Sequence, residues 1–235
     1  MDILLIAGLW LDGSAWDDVV PELTALGHSP VPLTLPGQGD GAASATLDDQ
    51  VAAVVAAVDA APGKPYVVGH SAATSLAWLA ADRRPERIAG VALIGGFPAP
   101  DGRAYAPFFP VVDGVMPFPG WAPFEGPDAA DLDGPTRERL ASAALPVPGA
   151  VAQGVVRLTD ERRHEVPVTL VCPEFTPAQA REWLAAGESP ELTAARRLSY
   201  VDLDSGHWPM TTRPRELARI LAEAAGAAEE DRAAC

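Results

Sequence analysis

Positive charge is scarce in this sequence. Its 235 residues include 17 lysines and arginines against 32 aspartates and glutamates, so the formal net charge is −15. Lys64 is the single lysine. Such an acidic balance disfavours binding to nucleic acids and to anionic membranes. We therefore expect neither a nucleic acid nor a membrane as a partner, and the sequence leaves the oligomeric state open.

Cysteines and long apolar runs are also scarce. Cys172 lies in an apolar strand pattern and Cys235 is the last residue, so the pair does not suggest a disulfide framework. No stretch approaches the ~20 apolar residues of a membrane span. The start Met1-Asp2, followed by the short apolar run Ile3–Ala7, does not have the pattern of a secretory signal. We therefore expect a cytoplasmic protein.

What the sequence does contain is an alternation of strand-like and helix-like segments. Helical patterns begin at recognisable signals, such as the capping box formed by Thr46 and Asp49. Alternation of this kind predicts a mostly parallel sheet flanked by helices. The predicted strands are Ile3–Ala7, Pro30–Leu35, Pro65–Gly69, Gly90–Ile94, Val166–Cys172 and Leu198–Leu203.

The alternation stops between Phe97 and Pro148. Eleven of the 24 prolines lie there, and this density disfavours long helices and paired strands. The segment also holds too many aromatic residues for a disordered linker. We therefore predict a core formed by 1–96 and 166–228, an irregular lid or cap insertion over 97–165, and a frayed tail over 229–235. The alternative for the insertion is an ordinary long surface excursion.

A short segment around Ser71 is typical of a sharp turn from a buried strand into a helix. Such a turn exposes a nucleophilic serine on a strained backbone and needs small residues two positions away on each side. Gly69 and Ala73 supply them, although glycine is usual at the second position. We predict that Ser71 is a nucleophile and that His70 is a spectator. The alternative is a serine that follows a glycine by chance.

Of the four histidines, His207 is the best candidate for a general base. It follows the last predicted strand, and the carboxyl ends of parallel strands meet at one edge of the sheet. His207 can therefore reach Ser71, and an imidazole can accept a serine proton near neutral pH. We expect His28 and His164 to face solvent. The alternative for His207 is a loop histidine without a chemical role.

Glu174 is the candidate for the carboxylate that would orient this imidazole. It comes just after the strand Val166–Cys172, at the same predicted edge. Asp202 and Asp204 are rivals, but they are too close in sequence to His207 to reach the far side of its ring. The alternative for Glu174 is a charge that favours the start of a helix.

Backbone N–H groups near Ser71 could stabilise an oxyanion. Ala72 follows the nucleophile, and Leu9 lies in the loop after the first strand, which are the two positions that this chemistry uses. Trp10 and Trp208 could wall an apolar substrate pocket, although such aromatic residues are more often part of a core.

With these residues in place, the chain resembles the α/β-hydrolase superfamily from about Asp2 to Ala225. The order Ser71, Glu174, His207 matches the superfamily's order of nucleophile, acid and base. Within it, the chain is similar to the compact esterases and hydroxynitrile lyases. The resemblance implies the α/β-hydrolase fold, hydrolysis of carboxylic esters or related acyl compounds, and no cofactor or metal.

Particular segments extend this resemblance and also limit it. Leu11-Asp12-Gly13, Gly69-His70-Ser71 and Gly206-His207-Trp208-Pro209 are similar to segments of actinobacterial hydrolases. In contrast, Ala7 stands where the family usually has a histidine, and the acid is glutamate where the family usually has aspartate.

We therefore expect a serine hydrolase that cleaves a small, mostly apolar carboxylic ester, thioester or lactone through an acyl-enzyme. One alternative is a lyase or a biosynthetic acyl-tailoring enzyme that uses the same site. Hydroxynitrile lyases on this scaffold use an extra lysine, whereas Lys64 precedes a strand and should lie at the opposite edge of the sheet. Another alternative is a receptor-like binding protein with residual hydrolase activity.

Overall fold

A six-stranded parallel sheet forms the centre of the protein, whose computed structural model describes residues 1–233. The strands of the chain are β1 (Asp2–Ile6), β2 (Ser29–Leu33), β3 (Tyr66–His70), β4 (Gly90–Ile94), β5 (Val115–Met116), β6 (Val147–Pro148), β7 (Val168–Cys172) and β8 (Leu198–Asp202). Each predicted strand coincides with one of these to within two residues, so the prediction of a parallel sheet is confirmed. The order of strands in the six-stranded sheet is β2-β1-β3-β4-β7-β8.

Helices cover both faces of the sheet. Ile3 and Leu5 of β1 belong to one hydrophobic core, while Leu4 and Ile6 belong to the other. A strand that is buried on both faces needs apolar residues at every position, which explains the unbroken apolar run near the start of the chain. The helices are α1 (Val20–Ala25), α2 (Leu47–Ala60), α3 (Thr74–Arg83), α4 (Gly134–Ala143), α5 (Gly149–Ala152), α6 (Pro177–Ala185), α7 (Pro190–Ala194), α8 (Pro209–Thr212) and α9 (Pro214–Ala233).

The proline-rich segment lies between β4 and β7 and is more regular than predicted. It contains the ten-residue helix α4 and the short antiparallel pair β5 and β6. Pro135 lies in the first turn of α4, where a missing N–H costs no helical hydrogen bond. Asp133 caps this helix by accepting a hydrogen bond from the Thr136 N–H at 2.9 Å. The expectation that prolines would exclude long helices and paired strands was therefore wrong.

The last helix is longer than the sequence pattern indicated. We predicted a frayed tail over 229–235, but α9 continues to Ala233 and so includes most of that segment. The alanines and glutamates of this stretch are good helix formers. Residues 234–235 of that predicted tail lie outside the described part of the chain. Among residues 1–233, none of the helices combines the length and apolar character that crossing a bilayer requires.

Candidate active site at the carboxyl edge of the sheet

Ser71 occupies a sharp turn between β3 and α3. Strand β3 ends at the preceding residue, and a 3-10 turn over Ser71–Ala73 leads into the helix. The φ angle of Ser71 is +56°, a left-handed conformation that few residues with a side chain adopt. A side chain at Gly69 would collide with the backbone of Ala73 and Thr74. The glycine therefore permits the close turn that exposes the serine.

Ser71, His207 and Glu174 form a continuous chain of hydrogen bonds. His207 Nε2 lies 2.9 Å from Ser71 Oγ, and His207 Nδ1 lies 2.7 Å from Glu174 Oε1. The side chains of His207 and Glu174 are each 13% exposed, so bulk water does not compete strongly for this pair. The structure therefore brings together the three side chains that the sequence predicts. Neither Asp202 nor Asp204 bonds to the imidazole among the described residues.

Two glycines after β4 make room for this chain of hydrogen bonds, and the sequence reasoning missed both. A Cβ at Gly95 would lie 3.2 Å from both Glu174 Oε2 and His207 Nδ1, and its φ of +61° also favours glycine. A Cβ at Gly96 would lie 2.9 Å from the Ser71 carbonyl oxygen. The signal available in the sequence was a glycine pair directly after a buried strand, at the edge where Ser71 was expected.

The proline-rich insertion holds the loop that carries the histidine. The His207 N–H donates to the Asp128 carbonyl at 2.7 Å, and the Gly206 N–H donates to Asp131 Oδ2 at 2.8 Å. A side chain at Gly206 would collide with both aspartates. Partial burial, reinforced by Glu174 and opposed by His207, raises the pKa of the Asp128 carboxyl. Sequence reasoning missed both aspartates, because they lie in the irregular segment where no pattern singles them out.

His70 is not the spectator that the sequence suggested. Its side chain is buried, and its Nε2 lies 2.7 Å from the backbone carbonyl of His207. A carbonyl oxygen can only accept, so the proton of the neutral ring is on Nε2. Burial, with a smaller contribution from the nearby His207, lowers the pKa of His70 to about 3. His70 is therefore a neutral donor that fixes the backbone of His207.

The loop after β1 passes directly beside Ser71. A Cβ placed on Gly8 would lie 2.9 Å from Ser71 Cβ and 3.0 Å from His70 Nδ1, so only glycine fits there. In the described part of the chain, the backbone N–H groups of Leu9 and Ala72 have no hydrogen-bond partner. Unpartnered N–H groups beside a serine are available to bind an oxyanion.

Trp10 and Trp208 are mostly buried, and neither lines the cleft beside Ser71. Trp10 does line a narrow recess beside Gly8 and Leu9, so its role in a pocket wall stays a prediction. Trp10 is 8% exposed, and its indole N–H donates to the Met116 carbonyl at 3.2 Å. Trp208 is 5% exposed and packs edge-on against Trp121, with ring centroids 5.2 Å apart. Through these contacts, both indoles join the insertion to the core.

The cleft that opens at Ser71 has a volume of about 600 Å³ and is walled mainly by the start of the insertion. Ala72, Ser75 and Tyr105 are buried at its base, while Arg103 and Phe108 are exposed at its rim. Apolar and polar side chains both line it, so the cleft has room for a small acyl compound with some polar character.

His164 and its neighbour Arg163 are more buried than the solvent-exposed charges that we expected. The His164 side chain is 12% exposed and lies 3.2 Å from Glu191. Arg163 is buried, with Nε 2.8 Å from Glu191 and Nη1 3.4 Å from Asp82. This ionic cluster joins the end of the insertion to the far end of α3. His28 is half-buried, and burial is the largest cause that lowers its pKa.

No group of three or more residues suited to hold a metal ion occurs in the described part of the chain. Lys64 lies just before the start of β3, whereas Ser71 follows its end, so the two residues lie at opposite edges of the sheet. The side chains that meet at the site are a serine, an imidazole and a carboxylate, beside backbone N–H groups. Such a set can form an acyl intermediate on the serine and transfer protons through the histidine.

Comparisons with known proteins agree with this fold. The model of the Alpha/beta hydrolase family matches residues 3–220 of the chain. A search of curated proteins finds no significant match.

Solved structures of similar fold cover almost the whole chain. An extracellular alpha/beta-hydrolase from a Paenibacillus species is 18% identical with a TM-score of 0.78, over 95% of this chain and 98% of its own. A pyrethroid hydrolase from Sphingobium faniae JZ-2 is 23% identical with a TM-score of 0.68, over 98% and 99%. A methylesterase from Arabidopsis is 15% identical with a TM-score of 0.73, over 96% and 99%. At these identities the similarity concerns the fold.

Proposed function

We propose that this chain, which belongs to the alpha/beta hydrolase family, is a serine hydrolase that cleaves a small carboxylic ester, thioester or lactone. One observation carries this proposal: Ser71, His207 and Glu174 are connected by hydrogen bonds of 2.9 and 2.7 Å. Among the proteins of similar fold, the methylesterase is named for ester cleavage and the pyrethroid hydrolase for hydrolysis.

In the first half of the reaction, Ser71 Oγ attacks the carbonyl carbon of the substrate while its proton passes to His207 Nε2. Glu174 accepts a hydrogen bond from Nδ1–H and stabilises the imidazolium that forms. The N–H groups of Leu9 and Ala72 bind the oxyanion of the tetrahedral intermediate. The bond to the leaving oxygen or sulfur then breaks, and His207 returns the proton to that atom.

In the second half, water replaces the leaving group. His207 accepts a proton from the water as its oxygen attacks the acyl carbon, and the second tetrahedral intermediate forms. This intermediate collapses with cleavage of the bond to Ser71 Oγ, which recovers its proton from His207. The products are a carboxylic acid and the free enzyme, so no further reactant is needed.

The walls of the cleft support a mostly apolar substrate of modest size. Phe97, Pro98 and Phe108 line it together with the buried Tyr105. A lyase that depends on a lysine near the triad is not supported, because Lys64 lies at the other edge of the sheet. A receptor-like protein would keep the cleft and lose turnover, so activity measurements separate it from a hydrolase.

The test uses a panel of short p-nitrophenyl esters and a fluorophosphonate probe. We expect turnover by the natural chain, covalent labelling at Ser71 by mass spectrometry, and loss of both in Ser71→Ala. Full turnover by Ser71→Ala would refute the proposal. Labelling of Ser71 without turnover of any ester would favour the receptor-like protein.

A further inference from the structure

The rim of the cleft at Ser71 carries one positive charge, that of Arg103. Arg103 is exposed there, and its guanidinium forms no ion pair or hydrogen bond within the described part of the chain. Its backbone is fixed, because the Arg103 carbonyl accepts from the Val156 N–H at 2.8 Å. Asp101, two residues earlier, is engaged elsewhere, since its carboxylate accepts from the Leu158 N–H at 2.9 Å. A guanidinium on a fixed backbone is therefore available to a ligand in the cleft.

Positive charge is rare in this part of the protein. Arg103 is the only lysine or arginine in residues 97–136, and the chain as a whole has a net charge of −15, which repels anions. Arginines elsewhere are often paired within the protein, as Arg84 is with Asp59 at 2.8 Å. A single unpaired cation at the mouth of this cleft thus gives an anionic group a local attraction that the rest of the surface does not offer. The acidic residues of the same segment are Asp101, Asp113, Glu125, Asp128, Asp131 and Asp133.

The interior of the cleft combines an apolar wall with a hydrogen-bond donor. Phe97 lines the cleft and is held from behind, because its ring stacks on Phe175 at a centroid distance of 5.9 Å and meets Trp183 at 6.0 Å. At the buried base, the Ser75 oxygen accepts from the Ala99 N–H at 2.9 Å, so its own proton is free for an acceptor on a ligand. These groups suit an apolar body that also carries acceptor oxygens.

Glu188 is the opposing charge at the same rim. It comes from the loop between α6 and α7, is exposed, and lines the cleft without forming an ion pair with Arg103. Its carboxylate repels an anionic ligand, so it should reduce the attraction that Arg103 provides. The two residues therefore offer substitutions with effects of opposite sign.

We propose that the substrate is an ester with an apolar body and one carboxylate, and that the Arg103 guanidinium binds this carboxylate at the rim while Ser71 attacks the ester carbonyl. A guanidinium presents parallel N–H donors that match the two oxygens of a carboxylate. This inference rests on the proposed hydrolase function and narrows its substrates to two kinds. These are half-esters of dicarboxylic acids and esters of hydroxy acids, which carry the charge on the acyl half and on the leaving half respectively.

Ester pairs that differ in one charge test the inference directly. We would compare monomethyl adipate with methyl adipamate, and 4-acetoxybenzoate with 4-acetoxybenzamide, using the natural chain and Arg103→Gln. The ratio of kcat/KM within a pair, compared between the two proteins, cancels intrinsic reactivity. For at least one pair, we expect Arg103→Gln to reduce the preference for the carboxylate by about fivefold, the size that an ion pair open to water can reach. The pair that responds identifies the half that carries the charge, and an unchanged ratio in both pairs would overturn the inference.

Arg139→Gln is the matched control, because Arg139 is also exposed and unpaired in the described chain but lines a different pocket, beside Asp12. It removes the same charge and should leave the ratio unchanged. An equal effect of Arg139→Gln and Arg103→Gln would show that net charge alone matters and would overturn the inference. Glu188→Gln should raise the preference for the carboxylate about twofold to fivefold. A fall in that preference would mean that the carboxylate does not reach this rim, and would overturn it as well.

Binding to inactive protein separates this inference from the proposed reaction. We would titrate the same ester pairs into Ser71→Ala, with and without Arg103→Gln. We expect Arg103→Gln to weaken binding of the carboxylate member about fivefold and to leave the carboxamide unchanged. That result, in a protein whose natural chain hydrolyses no ester, would support recognition by Arg103 and refute the hydrolase. An equal effect on both members, or none, would refute the recognition alone.

Discussion

His70 Nε2 donates a hydrogen bond to the backbone carbonyl of His207 at 2.7 Å, and the two rings lie 5.0 Å apart. On the other side of the same residue, the His207 N–H donates to the Asp128 carbonyl at 2.7 Å. The peptide groups around His207 are thus held by β3 and by the insertion together. A base held at both peptide groups keeps its ring in position for proton transfer at small reorganisation cost.

Replacing His70 should reduce activity through the position of His207. In His70→Leu the partly buried His207 carbonyl loses its donor, so we expect the free energy of unfolding to fall by about 1–3 kcal/mol. We also expect kcat to fall more than KM changes. His70→Gln keeps an N–H donor near the same place and should recover most of kcat. Equal activity of His70→Leu and the natural chain, measured on a short ester, would contradict this role.

The same residue should make stability depend on pH. The pKa of His70 falls from 6.5 to about 3 on folding, so the unfolded chain binds the proton more readily. The contribution of the neutral His70 ring to the free energy of unfolding is present above pH 6.5. It is lost as the pH falls towards 3, at up to about 1.4 kcal/mol per pH unit. The free energy of unfolding can be measured with denaturant at a series of pH values from 6.5 downwards. Its decrease with falling pH should be smaller for His70→Gln than for the natural chain. Parallel curves for the two proteins would refute the assignment.

Removing the charge of Glu174 should impair the chemical step without unfolding the protein. An amide in place of this carboxylate could still contact His207, but it could not stabilise the imidazolium, so we expect Glu174→Gln to lower kcat by roughly 10³–10⁴-fold. Asp202→Asn is the matched control, because Asp202 does not bond to the imidazole among the described residues. The measurement is kcat of both variants and of the natural chain on one ester. An equal effect of the two substitutions would contradict the role of Glu174.

Gly206 should be sensitive to a single added methyl group. A Cβ there would collide with Asp128 and Asp131, so Gly206→Ala must shift the loop of His207. A displacement of about 1 Å can cost about 10²-fold in rate, and we expect a loss of that size in kcat/KM. Gly226→Ala is the control, since a Cβ there meets no neighbour and helix propensity improves. It should keep full activity and be slightly more stable.

The buried ionic cluster at the far end of α3 should support stability and have little effect on catalysis. Arg163→Met would leave the buried carboxylates of Asp82 and Glu191 without their shared cation. We expect the free energy of unfolding to fall by about 3–5 kcal/mol, with kcat unchanged at temperatures where the variant is folded. Arg162→Met removes an exposed neighbour and should have no measurable effect. A similar loss for both variants would argue against the buried cluster.

Local patterns in the sequence were sufficient for the sheet and for the serine turn. Strands such as Gly90–Ile94 are continuous apolar runs because both of their faces are covered. Gly69 and Ala73 mark a turn that only small residues permit. The parallel arrangement of the strands then places the loop of His207 at the same edge as Ser71, which sequence reasoning could anticipate.

Contacts between distant segments could not be read in this way. Asp128 and Asp131 lie in a segment without periodicity, yet they hold the loop of His207. Trp10 and Trp208 were expected in a pocket wall and are both largely buried against the insertion, although Trp10 also lines a recess beside Leu9. The sequence by itself determined the sheet, the serine and the edge where its partners gather, because these follow from short-range periodicity and strand direction. Tertiary structure alone decided which polar groups are paired and why His70 is neutral, because pairing depends on residues that meet only after folding.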